Sequence, residues 1–306
     1  MNRVAILLCT FQAENFLADQ LDSFAAQTHS SWALFASDDG STDKTLTILQ
    51  NYQEKWGDQK LLISNGPRKG FAANFLSLTC NNTIQADYYA YSDHDDIWEP
   101  DKLQRAISWL QTIPPEIPAL YCSRLRLVSA DQKMLGLSPL FNKPPSFSNA
   151  LVQAMGSGNT IVFNNTARQH LLTGGADVPA ITHDWWAYLV VTACGGKVFY
   201  DPYPSIRYRQ HGGNIVGMDL SLRTRLLRAR RLCQGVLRNW VDRNLLSLKR
   251  LDTHITAENK QILNTFCMAR NQKLVPRLLG FWRSGIYRQS CLDNFCLFFA
   301  ALLKRI

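Results

Sequence analysis

Short apolar runs alternate with segments of helical period over the first two thirds of the chain. Val4 to Cys9 is continuously apolar; Phe16, Leu17, Leu21 and Phe24 then fall on one helical face, and Trp32 to Ala36 is a second apolar run. The same rhythm continues with Leu46, Leu49 and Tyr52 on a helix after Ser41, a strand-like Leu61 to Ser64, a helix over Phe71 to Leu78 and a strand over Tyr88 to Ser92. Strands separated by helices of this length make βαβ units, which predicts an α/β fold with a parallel-rich sheet covered by helices. Pro100 opens a further helix carrying Leu103, Ile107 and Leu110.

Beyond Pro114-Pro115, Ala119 to Val128 and the turn near Ala130-Asp131 predict the start of a strand pair, which makes the sheet mixed. Residues 139–149, rich in Pro, Ser and Asn, read as a mobile loop. A short helix, a strand at Thr160 to Phe163, a helix from His183 to Ala193 and strands near Lys197 to Tyr200 and Ile206 to Arg209 follow. From Leu220 on the pattern is helical, so the expected division is a catalytic unit over 1–218 and a helical extension over 219–306.

Charge changes this picture more than overall composition does. The 306 residues carry 33 Lys+Arg and 24 Asp+Glu; 17 of the basic and 5 of the acidic residues lie in 219–306, leaving 16 and 19 before it. The front part is slightly acidic and suited to a cation, whereas the net +12 of the extension (17 − 5) seeks an anionic surface. A 46% apolar, 19% charged chain is globular rather than disordered or collagen-like. Eight cysteines without a Cys-x-x-Cys pair read as reduced thiols of a cytosolic protein, and the nine apolar residues Phe295 to Leu303 are too few to cross a bilayer.

Two acidic clusters sit where a strand gives way to a helix, the position at which open α/β sheets bind ligands. In Ser37-Asp38-Asp39-Gly40-Ser41-Thr42-Asp43 one acid suffices to cap a helix; the adjacent Asp38 and Asp39 call for a donor, such as a pyrimidine imide, or a cation. In Ser92-Asp93-His94-Asp95-Asp96 three carboxylates in four residues need a counter-ion. The Asp93-x-Asp95 spacing suits a hard divalent cation completed by phosphate oxygens, against the plainer reading of a solvated turn.

With Cys9-Thr10-Phe11-Gln12-Ala13-Glu14, Gly70-Phe71-Ala72-Ala73-Asn74-Phe75, His183-Asp184-Trp185-Trp186 and Tyr208-Arg209-Gln210-His211-Gly212-Gly213-Asn214, these clusters resemble, in order and spacing over about residues 4–217, the family 2 glycosyltransferases of GT-A fold, in their bacterial rhamnosyltransferase-like branch. The resemblance implies a mixed, mostly parallel sheet flanked by helices and an inverting, metal-dependent transfer from a nucleotide-diphosphate sugar. dTDP-rhamnose is the first donor implied and a UDP-hexose the alternative; the acceptor is a saccharide or lipid-linked oligosaccharide of a bacterial surface polymer. It places Thr10, Phe11, Glu14, Asp38, Asp39 and Gly70 on the nucleotide, Asp93 toward the ribose or donor sugar, and Asp95 and His211 on Mg²⁺ or Mn²⁺. Asp184 stands where the family has its base, with Gly158, Trp185 and Trp186 on the acceptor side; the acidic residue that often precedes that base is here His183.

The extension carries basic amphipathic stretches over Arg223 to Arg250 and Arg283 to Ile306, which point to an anionic membrane surface or to a helical cap with a solvated basic face. The expected location is therefore the cytoplasm, peripheral on the inner face of the membrane. A sugar-1-phosphate nucleotidylyltransferase is disfavoured because Cys9-Thr10-Phe11-Gln12 replaces the glycine-rich, basic loop after the first strand. A nucleic-acid binder is disfavoured because acids crowd the strand ends.

Overall fold

A computed structural model describes residues 2–211 and 235–306. Strand β1 (Val4–Thr10) is flanked by β2 (Trp32–Asp38) and β4 (Tyr88–Ser92), with β3 (Leu61–Asn65) beyond β2, all parallel. On the other side β8 (Val162–Asn164) pairs antiparallel with β4 and β6 (Ala119–Ser129), and β6 pairs parallel with β9 (Lys197–Gln210). Strands β5 (Ile97–Trp98) and β7 (Met134–Leu137) add antiparallel to β9 and β6. The result is a mixed, mostly parallel sheet in the order β3-β2-β1-β4-β8-β6-β9-β5.

Every residue of β1 is buried, because helices cover both faces. Val4, Ile6 and Leu8 pack with α1 (Leu17–Ala25), α2 (Thr45–Trp56) and α4 (Lys102–Leu110). Ala5, Leu7 and Cys9 point into the opposite layer with α3 (Phe71–Thr79), α5 (Phe147–Ala150), α6 (Asn165–Gly174) and α7 (His183–Ala193). That second layer continues into α8 (Val236–Leu248), α9 (Ala257–Asn271), α10 (Leu274–Arg283) and α11 (Cys291–Leu302), whose Leu237, Val241, Phe266, Phe281 and Leu297 join the same core. Among the described residues no helix is long and apolar enough to cross a membrane.

Several expectations change. Segment 139–149 is tied down: α5 begins inside it, Lys143 and Ser146 bond to Arg288, Gln289 and Tyr287, and Tyr188 holds Ser146 from α7. The two strands expected at 197–200 and 206–209 are one, with register shifts opposite Arg124 that absorb Pro202 and Pro204. Helix α6 was not expected. The boundary at 218/219, Gly212 to Asn214 and the basic residues of 223–231 lie outside the described residues, as does Cys233. The other seven cysteines are free thiols.

In the described part of the first basic stretch, α8 and the turn after it serve as a cap: Arg243 on α8 donates to the carbonyls of Pro179 and Ala180, and Arg250 in the turn pairs with Asp177.

Candidate active site

The parallel register brings three strand ends side by side: Thr10 lies opposite Asp38, and Leu8 opposite Ser92. The loops after β1, β2 and β4 therefore form one rim, joined by the start of α7. Sequence-expected residues occupy distinct layers of it.

Thr10 and Asp38 are its floor. Both are buried; Thr10 Oγ1 donates to Asp38 Oδ1 at 2.8 Å, and Asp38 also accepts from the Gly40 and Ser41 amides and the Ser41 hydroxyl. With those bonds made, Asp38 shapes the β2–α2 turn and does not face a nucleotide, which corrects the expectation for both residues. Asp39 sits above it and accepts from the amides of Arg68 (2.6 Å) and Gly70 (2.9 Å). Gly70 adopts φ +87°, a conformation that favours glycine, and the space beside its Cα is open. Phe11 is 54% exposed, and Glu14 accepts from the Lys44 amide on the outer edge.

After β4 the three acids part company. The Asp93 carboxyl is pushed up to about 8, first by burial and then by the charges of Asp95 and Asp184. Burial raises the Cys9 thiol well above its ordinary value, and the charges of Asp93 and Asp39 add to it. The four carboxyls 39, 93, 95 and 184 thus belong to one electrostatic neighbourhood, although they come from three different loops. Asp95 Oδ2 lies 2.9 Å from His211 Nε2. Asp96 turns the other way: it is fully buried, accepts the Arg209 amide, and is hydrogen-bonded to Asn159. Sequence reasoning assigned it no role.

Arg209 is the clamp behind this loop. Its side chain is 3% exposed; it donates to the carbonyls of Asp95 and Ala130, pairs with Asp19 at 2.7 Å, and covers the ring of Phe16. Behind it Lys102 is fully buried with its ammonium over the Trp98 ring at 3.5 Å, and burial lowers its pKa well below the ordinary value.

Asp184 is the second residue of α7, and its Oδ1 accepts from the Trp185 amide at 2.7 Å. The acceptor-side expectations beside it need correction. Trp185 is 5% exposed and donates its indole N–H to the Ala150 carbonyl, while Trp186 is fully buried against Gly174, so neither presents a face to a sugar. Gly158 is likewise buried, and what fills the place of its missing side chain is the ring of His183. That ring stacks on Phe75 with centroids 3.8 Å apart.

The donor set of Asp93, Asp95 and His211 fits a divalent cation: two crowded carboxyls and an imidazole, with acid charge to be offset. Among the described residues no group of three or more such side chains is already gathered around a single point.

Comparison with known proteins bears on the family and the fold. Residues 5–154 match the model of glycosyl transferase family 2. The chain is 28% identical over 245 residues to the dTDP-rhamnosyl transferase RfbG of Shigella flexneri, covering 76% of this chain and 79% of that one. Among solved structures, TarS 1-349 of S. aureus in complex with UDP-GlcNAc matches with a TM-score of 0.54 at 12% identity, covering 93% of both chains. The mannosyltransferase PcManGT from Pyrobaculum calidifontis in complex with GDP-Man and Mn²⁺ matches with a TM-score of 0.51 at 17% identity, covering 93% of this chain and 86% of that one. At such identities the two structures speak for the fold alone, which is GT-A.

Proposed function

The chain belongs to glycosyl transferase family 2, and from that premise we propose that it moves a sugar, with inversion, from a nucleoside-diphosphate donor to a hydroxyl of a lipid-linked or growing saccharide in bacterial surface-polysaccharide synthesis. dTDP-rhamnose is the donor to test first, on the strength of the 28% identity to a dTDP-rhamnosyl transferase. The observation that carries the reading is that Asp93, just past the carboxyl end of a parallel strand, is raised to about 8 first by burial and then by the charges of Asp95 in the same loop and Asp184 at the start of α7.

Inverting transfer is a displacement at the anomeric carbon, so a base must take the acceptor proton on the face opposite the leaving diphosphate. Asp184 is that base. The amide of Trp185 holds one of its oxygens, which fixes the carboxylate's direction and leaves the other for the proton. Asp95 and His211, with Asp93 beside them, would hold the divalent cation. When bound, that ion supplies positive charge to the departing diphosphate. Asp39, held by the amides of Arg68 and Gly70, offers its remaining lone pairs to the pyrimidine imide, with exposed Phe11 along the base.

The test is Asp184→Asn assayed with dTDP-rhamnose and Mn²⁺. The variant should bind dTDP within about threefold of the parent and lose at least about 10²-fold in transfer, the usual yield of one general base. Loss of dTDP affinity with turnover intact would refute the assignment.

A further inference from the structure

Of the eighteen large apolar side chains left exposed among the described residues, nine fall between Leu274 and Leu303, eight on α10 and α11 and Leu303 at the end of α11. The remainder are spread over the rest of the chain. On α10 the spacing Val275, Leu279, Trp282 keeps the exposed set on one face, while Arg277 and Phe281 turn into the core. On α11 the spacing Leu292, Phe295, Phe299 does the same, with Cys296, Leu297, Ala300 and Ala301 buried behind it. Trp282 is 79% exposed and Phe295 61%, values that a solvent-facing helix of a monomer has no reason to carry.

The charges around these faces decide what covers them. Lys273, Arg283, Lys304 and Arg305 are exposed at the ends of the two helices, and none makes an ion pair among the described residues. The one acid from 273 to 306 is Asp293. A second copy of this chain related by a two-fold axis would set like charges against one another across an apolar contact. An anionic bilayer satisfies both features, because lipid headgroups neutralise the cations while the aromatic rings enter the boundary between headgroup and acyl chain.

We propose that α10 and α11 form an interfacial docking face for an anionic lipid bilayer, with Trp282 and Phe295 inserted and Lys273 and Arg283 at headgroup level. α8, in contrast, is engaged against the catalytic core and stays off the membrane. The docked enzyme meets a lipid-linked acceptor by diffusion in two dimensions.

The experiment is co-sedimentation of the full chain with vesicles of phosphatidylcholine containing one-quarter phosphatidylglycerol, and with vesicles of phosphatidylcholine alone. Partition should be at least tenfold stronger on the anionic vesicles and weaken in high salt. Trp282→Asp with Phe295→Asp should lower it at least tenfold on both, and Lys273→Gln with Arg283→Gln should lower it only on the anionic ones. All four positions are exposed and none belongs to the candidate site, so circular dichroism and dTDP affinity should match the parent. No partition, equal partition on both lipids, or unchanged partition of the aspartate variant overturns the proposal. So does a stable dimer, seen by light scattering, that the aspartate variant dissolves. Vesicle binding needs neither donor nor acceptor, so a failed sugar-transfer assignment leaves this result standing and the reverse is equally true.

Discussion

His183 yields a prediction whose size can be worked out. The ring opens α7, is buried to 3% exposure between Phe75, Tyr91 and Phe71, and neither nitrogen has a hydrogen-bond partner among the described residues. Burial lowers its pKa from the ordinary 6.5 to about 4, against the pull of Asp184 in the other direction. In the unfolded chain the ring takes its proton near 6.5, so between 6.5 and about 4 the unfolded state holds more protons than the folded one. The neutral ring's contribution to stability is complete above about 6.5 and is lost as pH falls toward 4. At about 1.36 kcal/mol per pH unit the whole effect is about 3 kcal/mol, of which about 2 kcal/mol falls between pH 7 and pH 5.

Asp93 works in the opposite sense. Its folded-state pKa of about 8 exceeds the ordinary 3.8, so its protonation stabilises the fold as pH drops through the same interval. Total stability of the parent therefore does not isolate the histidine; the difference between parent and His183→Gln does, because Asp93 titrates in both. Urea unfolding at pH 7 and pH 5 should show the variant losing about 2 kcal/mol less than the parent on acidification, whatever their absolute stabilities. Parallel changes in the two proteins would mean that the ring is hydrated or paired, and the packing argument for His183 would be wrong.

Two further outcomes concern the same acids. Asp93→Asn removes a buried acid that also feels the charges of Asp95 and Asp184, so in metal-free buffer at pH 8 it should stabilise the protein by roughly 1–3 kcal/mol while abolishing transfer; a lowered melting temperature would count against the cost of a charge there. Asn159→Ala leaves the buried Asp96 carboxyl, among the described residues, with the Arg209 amide as its hydrogen-bond donor, which should cost about 1–3 kcal/mol and raise the Mn²⁺ concentration giving half-maximal rate, since Asp96 adjoins Asp95; an unaltered metal curve would separate the two residues.

Much of the sheet was legible because each strand is a short apolar run between turn residues. Strand β4 and helix α7 fall at the expected residues for that reason. Helix α6 was missed because its sequence is polar and its buried face includes Arg168, which a reading by hydropathy places outside. In the fold that guanidinium is satisfied by the carbonyls of Thr79 and Asn81 and covers the ring of Tyr89. The two tryptophans after Asp184 carried a usable signal for the core. From Trp185 to Ala193 the helix has almost no polar face, and a helix apolar all round belongs in the core, so its aromatic residues pack inside the fold beneath Asp184.

The direction of each acid after β4 is a different kind of problem. Asp93, Asp95 and Asp96 have the same chemistry within four positions, and no local rule says which faces the cleft. Their partners decide it: Arg209 arrives 113 residues later on β9, His211 116 residues later just past its end, and Asn159 63 residues later. Asp96 turns inward because the Arg209 amide and Asn159 wait there, and that bond in turn leaves Asp95 pointing at His211. Sequence reading located the acids because charge density at a strand end is a local property. Apart from the roles that the resemblance implied for Asp93 and Asp95, it did not sort them, because the sorting is done by contacts that exist only once β9 has paired with β6.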